Sequence, residues 1–124
     1  MKKVVHTENA PAAIGPYSQA IEANGMLFVS GQIPVDPSTG GVPEGITAQT
    51  EQVMKNLNAI LTEAGYTFDN VVKTTCLLSD ISNFGAMNEV YATRFSANPP
   101  ARAAFAVRDL PKGVMVEIEA IAVK

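Results

Sequence analysis

The chain is poor in the residues that most often carry metal or redox chemistry. Among its 124 residues there is one cysteine, Cys76, and one histidine, His6. A lone cysteine cannot close an internal disulfide, and one cysteine with one histidine cannot furnish a Cys/His metal centre. No clustered acidic motif suggests a carboxylate site instead, so no metal is expected. Cys76 lies in an apolar, β-like run, the setting of a small buried thiol rather than a reactive one. Positive charge is also scarce: nine basic residues face twelve acidic ones, for a net charge of −3 and a pI near 5.0. Apart from Lys2-Lys3 the basic residues are scattered, which argues against broad contact with phosphate backbones and against nucleic acid as a partner. Long apolar runs are missing as well. None approaches the ~18 residues of a membrane span. Lys2-Lys3 is followed by Val-Val-His-Thr-Glu-Asn, too polar for the core of a signal peptide. A reducing, cytoplasmic compartment is expected, with no membrane contact.

What is present is enough for one core. With 47% hydrophobic and 17% charged residues, residues 1–124 are expected to form a single domain. Lys2 to His6 reads as a short edge strand, and Asn9 to Pro16 as a loop punctuated by proline and glycine. Tyr17 follows, either half-buried with a wet hydroxyl or lining a cleft. Ser18 to Ala23 and Met26 to Ile33 form a hairpin around Asn24-Gly25, since both turn positions tolerate positive φ. Gly31 inside the second strand marks a bulge or a close approach of its backbone to something else. Pro34 to Gly45, with three prolines and three glycines, is an irregular surface loop.

The clearest element follows. Thr47 is placed to cap a helix whose apolar stripe is Val53, Leu57, Ile60, Leu61 and Ala64, with Gly65 closing it in a left-handed conformation. Asp69 to Asp80 is a nearly continuous β-type run, expected to be covered on both faces. A second helix starts at Ile81-Ser82 and turns Phe84, Met87, Tyr91 and Phe95 one way, with Asn88 near the edge of that stripe. Ala101 to Arg108 and Val114 to Val123 are the last strands. The order β-β-β-α-β-α-β-β predicts an α+β domain, two helices on one face of a mixed sheet. The other sheet face is too apolar for water, which predicts self-association.

Two charged positions stand out on this frame. Arg102 follows Pro99-Pro100 in an otherwise apolar strand, and a guanidinium, always charged, needs an anion or several acceptors. It either snorkels from the strand end to water or belongs to an anion site. Glu117 and Glu119 lie on one face of the last strand, roughly 6.6 Å apart by strand geometry. Met115 and Ile121 bracket them, which suits a partner interface containing a wet cleft. Glu117 is either the partner of Arg102 or shares a site with it.

Over nearly its whole length the chain resembles the RidA/YjgF family of enamine and imine deaminases. The resemblance runs through Asn9-Ala10-Pro11-Ala12-Ala13-Ile14-Gly15-Pro16-Tyr17-Ser18-Gln19-Ala20, Ser30-Gly31-Gln32-Ile33-Pro34-Val35 and Gln52 through Gly65. It continues in Val72-Lys73-Thr74-Thr75, Pro100-Ala101-Arg102, Leu110-Pro111-Lys112 and Val116-Glu117-Ile118-Glu119-Ala120-Ile121-Ala122. It implies a chorismate-mutase-like fold assembled as a homotrimer, with three clefts between subunits. It also implies hydrolysis of reactive imines such as 2-iminobutanoate and 2-iminopropanoate, released by pyridoxal-phosphate dehydratases, to 2-oxo acids and ammonia, without a cofactor. By the same resemblance Arg102, Glu117 and Tyr17 are the catalytic set. Arg102 would hold the substrate carboxylate bidentately, and Glu117 would orient or deprotonate water or pass a proton to the leaving amine. Ser30, Gly31, Asn88 and Ala104 would complete the substrate site with Arg102. Two departures are plain: Ala104 stands where many relatives have cysteine, and Pro99 where many have an aromatic, in a shortened loop. A non-catalytic role in the same cleft, as a holdase or a small-ligand-binding regulator, is the alternative. A ribonuclease role, also attached to relatives, fits poorly with the acidic charge and the lack of a histidine pair.

Overall fold

A computed structural model of the chain describes residues 1–95 and 97–124. Among them the elements run β1 (Lys3–Val5), β2 (Ala20–Ala23), β3 (Met26–Gln32), α1 (Ile46–Ala64), β4 (Val71–Leu78), α2 (Phe84–Ala92), β5 (Ala101–Ala106) and β6 (Val116–Val123). This is the order read from the sequence. The strands form one six-stranded sheet, β1-β2-β3-β6-β4-β5. Every adjacent pair is antiparallel except β4–β5, and parallel strands need a crossover, which α2 supplies. The fold is α+β: a mixed sheet with both helices packed on one face.

Local sequence explains the joints. Asn24 and Gly25 both take positive φ, 53° and 72°, so the β2–β3 turn is the tight kind that Asn-Gly favours. Helix α1 buries Val53, Met54, Leu57, Ile60 and Leu61. It ends at Gly65, whose φ of 82° lets its N–H reach the carbonyls of Leu61 and Thr62. Its start differs from expectation. Ile46 is already helical, and Gly45, at φ 88°, precedes it without any side-chain cap. Thr47 therefore sits inside the first turn, because a glycine with freedom of φ took over the entry.

Strand β6 is central, between β3 and β4. Val116, Ile118, Ala120 and Ala122 point to the helices and are almost fully buried. The strand begins two residues later than expected: the Met115 N–H leaves the ladder for Gln49 Oε1 at 2.8 Å. Strand β4 sends Val71, Thr74, Cys76 and Leu78 inward, while its other face is uncovered in the protomer rather than packed on both sides. Across that open face Val4, Ile21, Phe28 and Ile121 lie in register on four adjacent strands. Val4 and Phe28 are exposed, as are Phe105 and Val123. Covering such side chains is worth about 1.5–3 kcal/mol each, so water is a poor long-term neighbour for this face.

Candidate active site

The sheet register distributes the candidate residues. Arg102 pairs with Thr74, which pairs with Ala120; both are buried on the helix side. Glu117 pairs with Leu77, which pairs with Phe105, and all three belong to the open side. Arg102 and Glu117 therefore occupy opposite faces of one sheet. Within a single protomer they are not partners, which settles one of the two arrangements left open by the sequence.

On the helix side, α2 shapes the surroundings of Arg102. The guanidinium lies over the Tyr91 ring at 4.8 Å and near the Phe84 ring at 5.3 Å. Its Nη1 donates to Asn88 Oδ1 at 2.7 Å. Stacking on an aromatic face with one edge bonded leaves the other N–H groups of the fork available to a carboxylate. Asn88 is thus the residue that holds the arginine, one helix position round from the buried Met87. The Tyr91 ring is fixed in turn by a 2.7 Å hydrogen bond between its hydroxyl and that of Thr74. Phe84 and Tyr91 were visible in the sequence only as members of an apolar stripe; their neighbour Asn88 was the cue that this stripe ends at a polar site. Ala104, two residues along β5, packs against the core edge beside this cluster. Beneath it, burial pushes the Cys76 thiol up to about 11, against the weaker opposing pull of Arg102 and a Thr74 hydrogen bond. That thiol is inert at neutral pH.

On the open side, Tyr17, Ser30, Gly31, Glu117 and Glu119 line a cavity of about 990 Å³. One wall is the segment from His6 to Tyr17; the others come from Ile33 to Gly40 and from Pro111-Lys112. Strand β3 breaks register with β6 between Val29 and Gln32. At that bulge the Glu117 carboxyl lies directly against Gly31: a Cβ there would fall 2.9 Å from Glu117 Cδ and collide with the carboxylate oxygen. Bulge and close approach, alternatives in the sequence, are both real. Burial raises the Glu117 pKa above the ordinary carboxylate value, and repulsion from Glu119 raises it further. The Ser30 hydroxyl donates to the Ser18 carbonyl at 2.6 Å, which pins the loop segment next to Tyr17 and leaves its oxygen free to accept.

The arrangement is one carboxyl of raised pKa over a glycine in a cavity, and one stacked arginine on the far side of the sheet. One face of the sheet thus carries a carboxyl suited to proton exchange, and the other a guanidinium suited to an anion. Among the described residues no group of three or more His, Cys, Asp or Glu side chains could hold a metal ion. Nor is any helix among them long and apolar enough to cross a membrane.

The family profile described as Endoribonuclease L-PSP matches residues 7–124. A mouse protein named 2-iminobutanoate/2-iminopropanoate deaminase is 53% identical, covering 100% of this chain and 93% of its own length. Among solved structures, a Rid family protein from Yersinia pestis superposes with a TM-score of 0.97 at 51% identity, with 100% of both chains covered. The structure of E. coli TdcF with bound serine superposes with a TM-score of 0.94 at 41% identity, over 98% of each chain.

Proposed function

The chain belongs to the Endoribonuclease L-PSP family, the RidA/YjgF family, and we propose that it is a 2-iminobutanoate/2-iminopropanoate deaminase whose active site is completed between copies. The observation that carries the proposal is the placing of Arg102 and Glu117 on opposite faces of one sheet. A small 2-imino acid needs an anchor for its carboxylate and a proton-transfer group beside its imine carbon. One copy supplies Arg102, with Asn88 and the backbone at Ala104; the next supplies Tyr17, Ser30, Gly31 and Glu117. A homotrimer closed through the open sheet face makes three such clefts, and the apolar row across β1, β2, β3 and β6, exposed at Val4 and Phe28, supports that assembly. Residues 1–124 act as one domain, and a single buried cysteine suits the cytoplasm.

The chemistry asks for placement more than for force. Arg102 holds the substrate carboxylate through two N–H groups, which fixes the imine carbon. Glu117 takes a proton from water as the water oxygen bonds to that carbon, and the C=N bond becomes a C–N single bond. The same carboxyl returns the proton to nitrogen. A second proton passes from the new hydroxyl through Glu117 to nitrogen, the C–N bond breaks as the C=O bond forms, ammonia leaves, and the 2-oxo acid remains. A carboxyl whose pKa lies above the usual value is better matched to this exchange near neutral pH. Holding water and carbon in contact supplies the rest through proximity. The test is coupled turnover: a threonine dehydratase feeds 2-iminobutanoate and 2-oxobutanoate is followed with and without the protein. Acceleration that is lost in Arg102→Ala, with the fold retained, supports the reading. No acceleration by the folded wild-type oligomer overturns it in favour of a ligand-binding role.

A further inference from the structure

The mechanism leaves unused the most heavily bonded buried side chain of the cavity wall. Gln19 is 2% exposed. Its Oε1 accepts from the Thr7 N–H at 2.7 Å. Its Nε2 donates to the carbonyls of Thr7 at 3.0 Å, Ala10 at 3.3 Å and Pro11 at 2.9 Å. The Gln19 carbonyl in turn accepts from the Ser30 N–H at 2.9 Å. The side-chain amide thus joins the two ends of the segment Thr7 to Gln19, and the main-chain carbonyl of the same residue ties it to β3, closing a compact loop of the kind that is often functional. That loop is the wall carrying Ala10, Pro11, Ala12, Ile14 and Tyr17 along the cavity. Tyr17 itself is half exposed, and its backbone is held by its N–H to the Gly15 carbonyl at 2.8 Å.

Resting on the deaminase reading, we propose that Gln19 is a positioning residue that sets the place of the Tyr17 hydroxyl in the cleft by closing the Thr7–Gln19 loop. A methylene in place of the amide would leave three carbonyls and one N–H without partners, and the loop would open before the sheet did. A side chain that only fed the core would lower stability and leave the cleft intact. The two roles separate in a double-mutant cycle.

The experiment measures kcat and KM for Gln19→Met, Tyr17→Phe and the pair, well below each melting temperature. Thr50→Val, which removes a buried hydroxyl bonded to the Ile46 carbonyl in α1, serves as a variant destabilised away from the cleft. The expected result is a loss in kcat/KM of about tenfold or more for Gln19→Met in the wild-type background. In the Tyr17→Phe background the loss is expected to shrink to about twofold or less, while Thr50→Val keeps wild-type kinetics. An equal loss in both backgrounds, or no loss, overturns the proposal. Should Gln19→Met not fold, Gln19→Glu takes its place, since it keeps the acceptor for Thr7 N–H and removes the donors. A wild-type protein without turnover would refute the deaminase reading itself, an outcome distinct from additive losses in an active enzyme.

Discussion

Replacing Gly31 with alanine separates stability from activity. Gly31 does not have positive φ, so alanine fits the backbone, and exchanging a strand glycine for alanine is worth about 0.5–1 kcal/mol in favour of the fold. The added Cβ would stand 2.9 Å from Glu117 Cδ and 3.2 Å from Cγ, where ordinary carbon contacts are about 3.5–4 Å. Its nearer oxygen would collide outright, so the carboxyl must retreat by more than about 1 Å or rotate away, an adjustment costing about 0.5–1.5 kcal/mol in rotamer energy. The two contributions nearly cancel, so the melting temperature should stay within a few degrees of wild type. Activity has no such compensation. A misplacement of about 1 Å can cost about a hundredfold, or 2.7 kcal/mol in the barrier, and here the displaced group is the one that exchanges protons with water. Thermal denaturation and coupled imine turnover on the same preparation make the test. Wild-type turnover in Gly31→Ala would refute the assignment of Glu117. A collapse of stability with turnover lost in proportion would show that the glycine serves packing alone.

Mixing inactive Arg102→Ala with inactive Glu117→Gln, after dissociation and reassembly, should restore about a quarter of wild-type turnover if each cleft draws on two copies; no recovery would mean that both residues act in one chain. Asn88→Ala removes the acceptor that holds Arg102 and should raise KM about tenfold with a smaller change in kcat; a change in kcat alone would place Asn88 elsewhere in the mechanism. Glu117 binds its proton more tightly folded than unfolded, so it costs stability as pH rises through the interval from its unfolded pKa to its raised folded value. Glu117→Gln should accordingly melt higher than wild type at neutral pH, with the difference fading below about pH 4.5, the ordinary value for a glutamate carboxyl. Equal melting curves across that range would contradict the burial of the carboxyl.

The fold was largely legible because its elements announce themselves locally. A stripe at helical spacing gave α1, Gly65 ended it, and Asn24-Gly25 specified the hairpin. Alternation in β6 correctly divided Ile118 and Ala120 from Glu117 and Glu119. What local pattern could not supply is the sidedness of Arg102 relative to Glu117. Each residue's face follows from its own strand's alternation, but the relation between strands depends on β4–β5 register, a non-local quantity. The same holds for the bulge at Gly31, which arises where β3 meets β6. Thr47 failed as a cap for a different reason: two helix entries were available, and the glycine one residue before Ile46 was the cheaper. Gln19 gave no signal beyond its place in the motif around Tyr17, since a glutamine shows neither period nor charge.

The position of β6 has a consequence for synthesis. It is the last strand of the sequence, yet it lies between β3 and β4. During translation the β1-β2-β3 segment can pair early through its hairpins, and β4 can meet β5 across α2, but the two halves have no common edge until residues 116–123 have emerged. From the emergence of residue 106 until that of residues 116–123 the nascent chain therefore carries two sheet fragments with open edges, the condition most prone to mispairing. Final closure is a long-range event that buries Ile118, Ala120 and Ala122 together, and a chain stopped short of β6 would hold two fragments of a sheet rather than a smaller version of the fold.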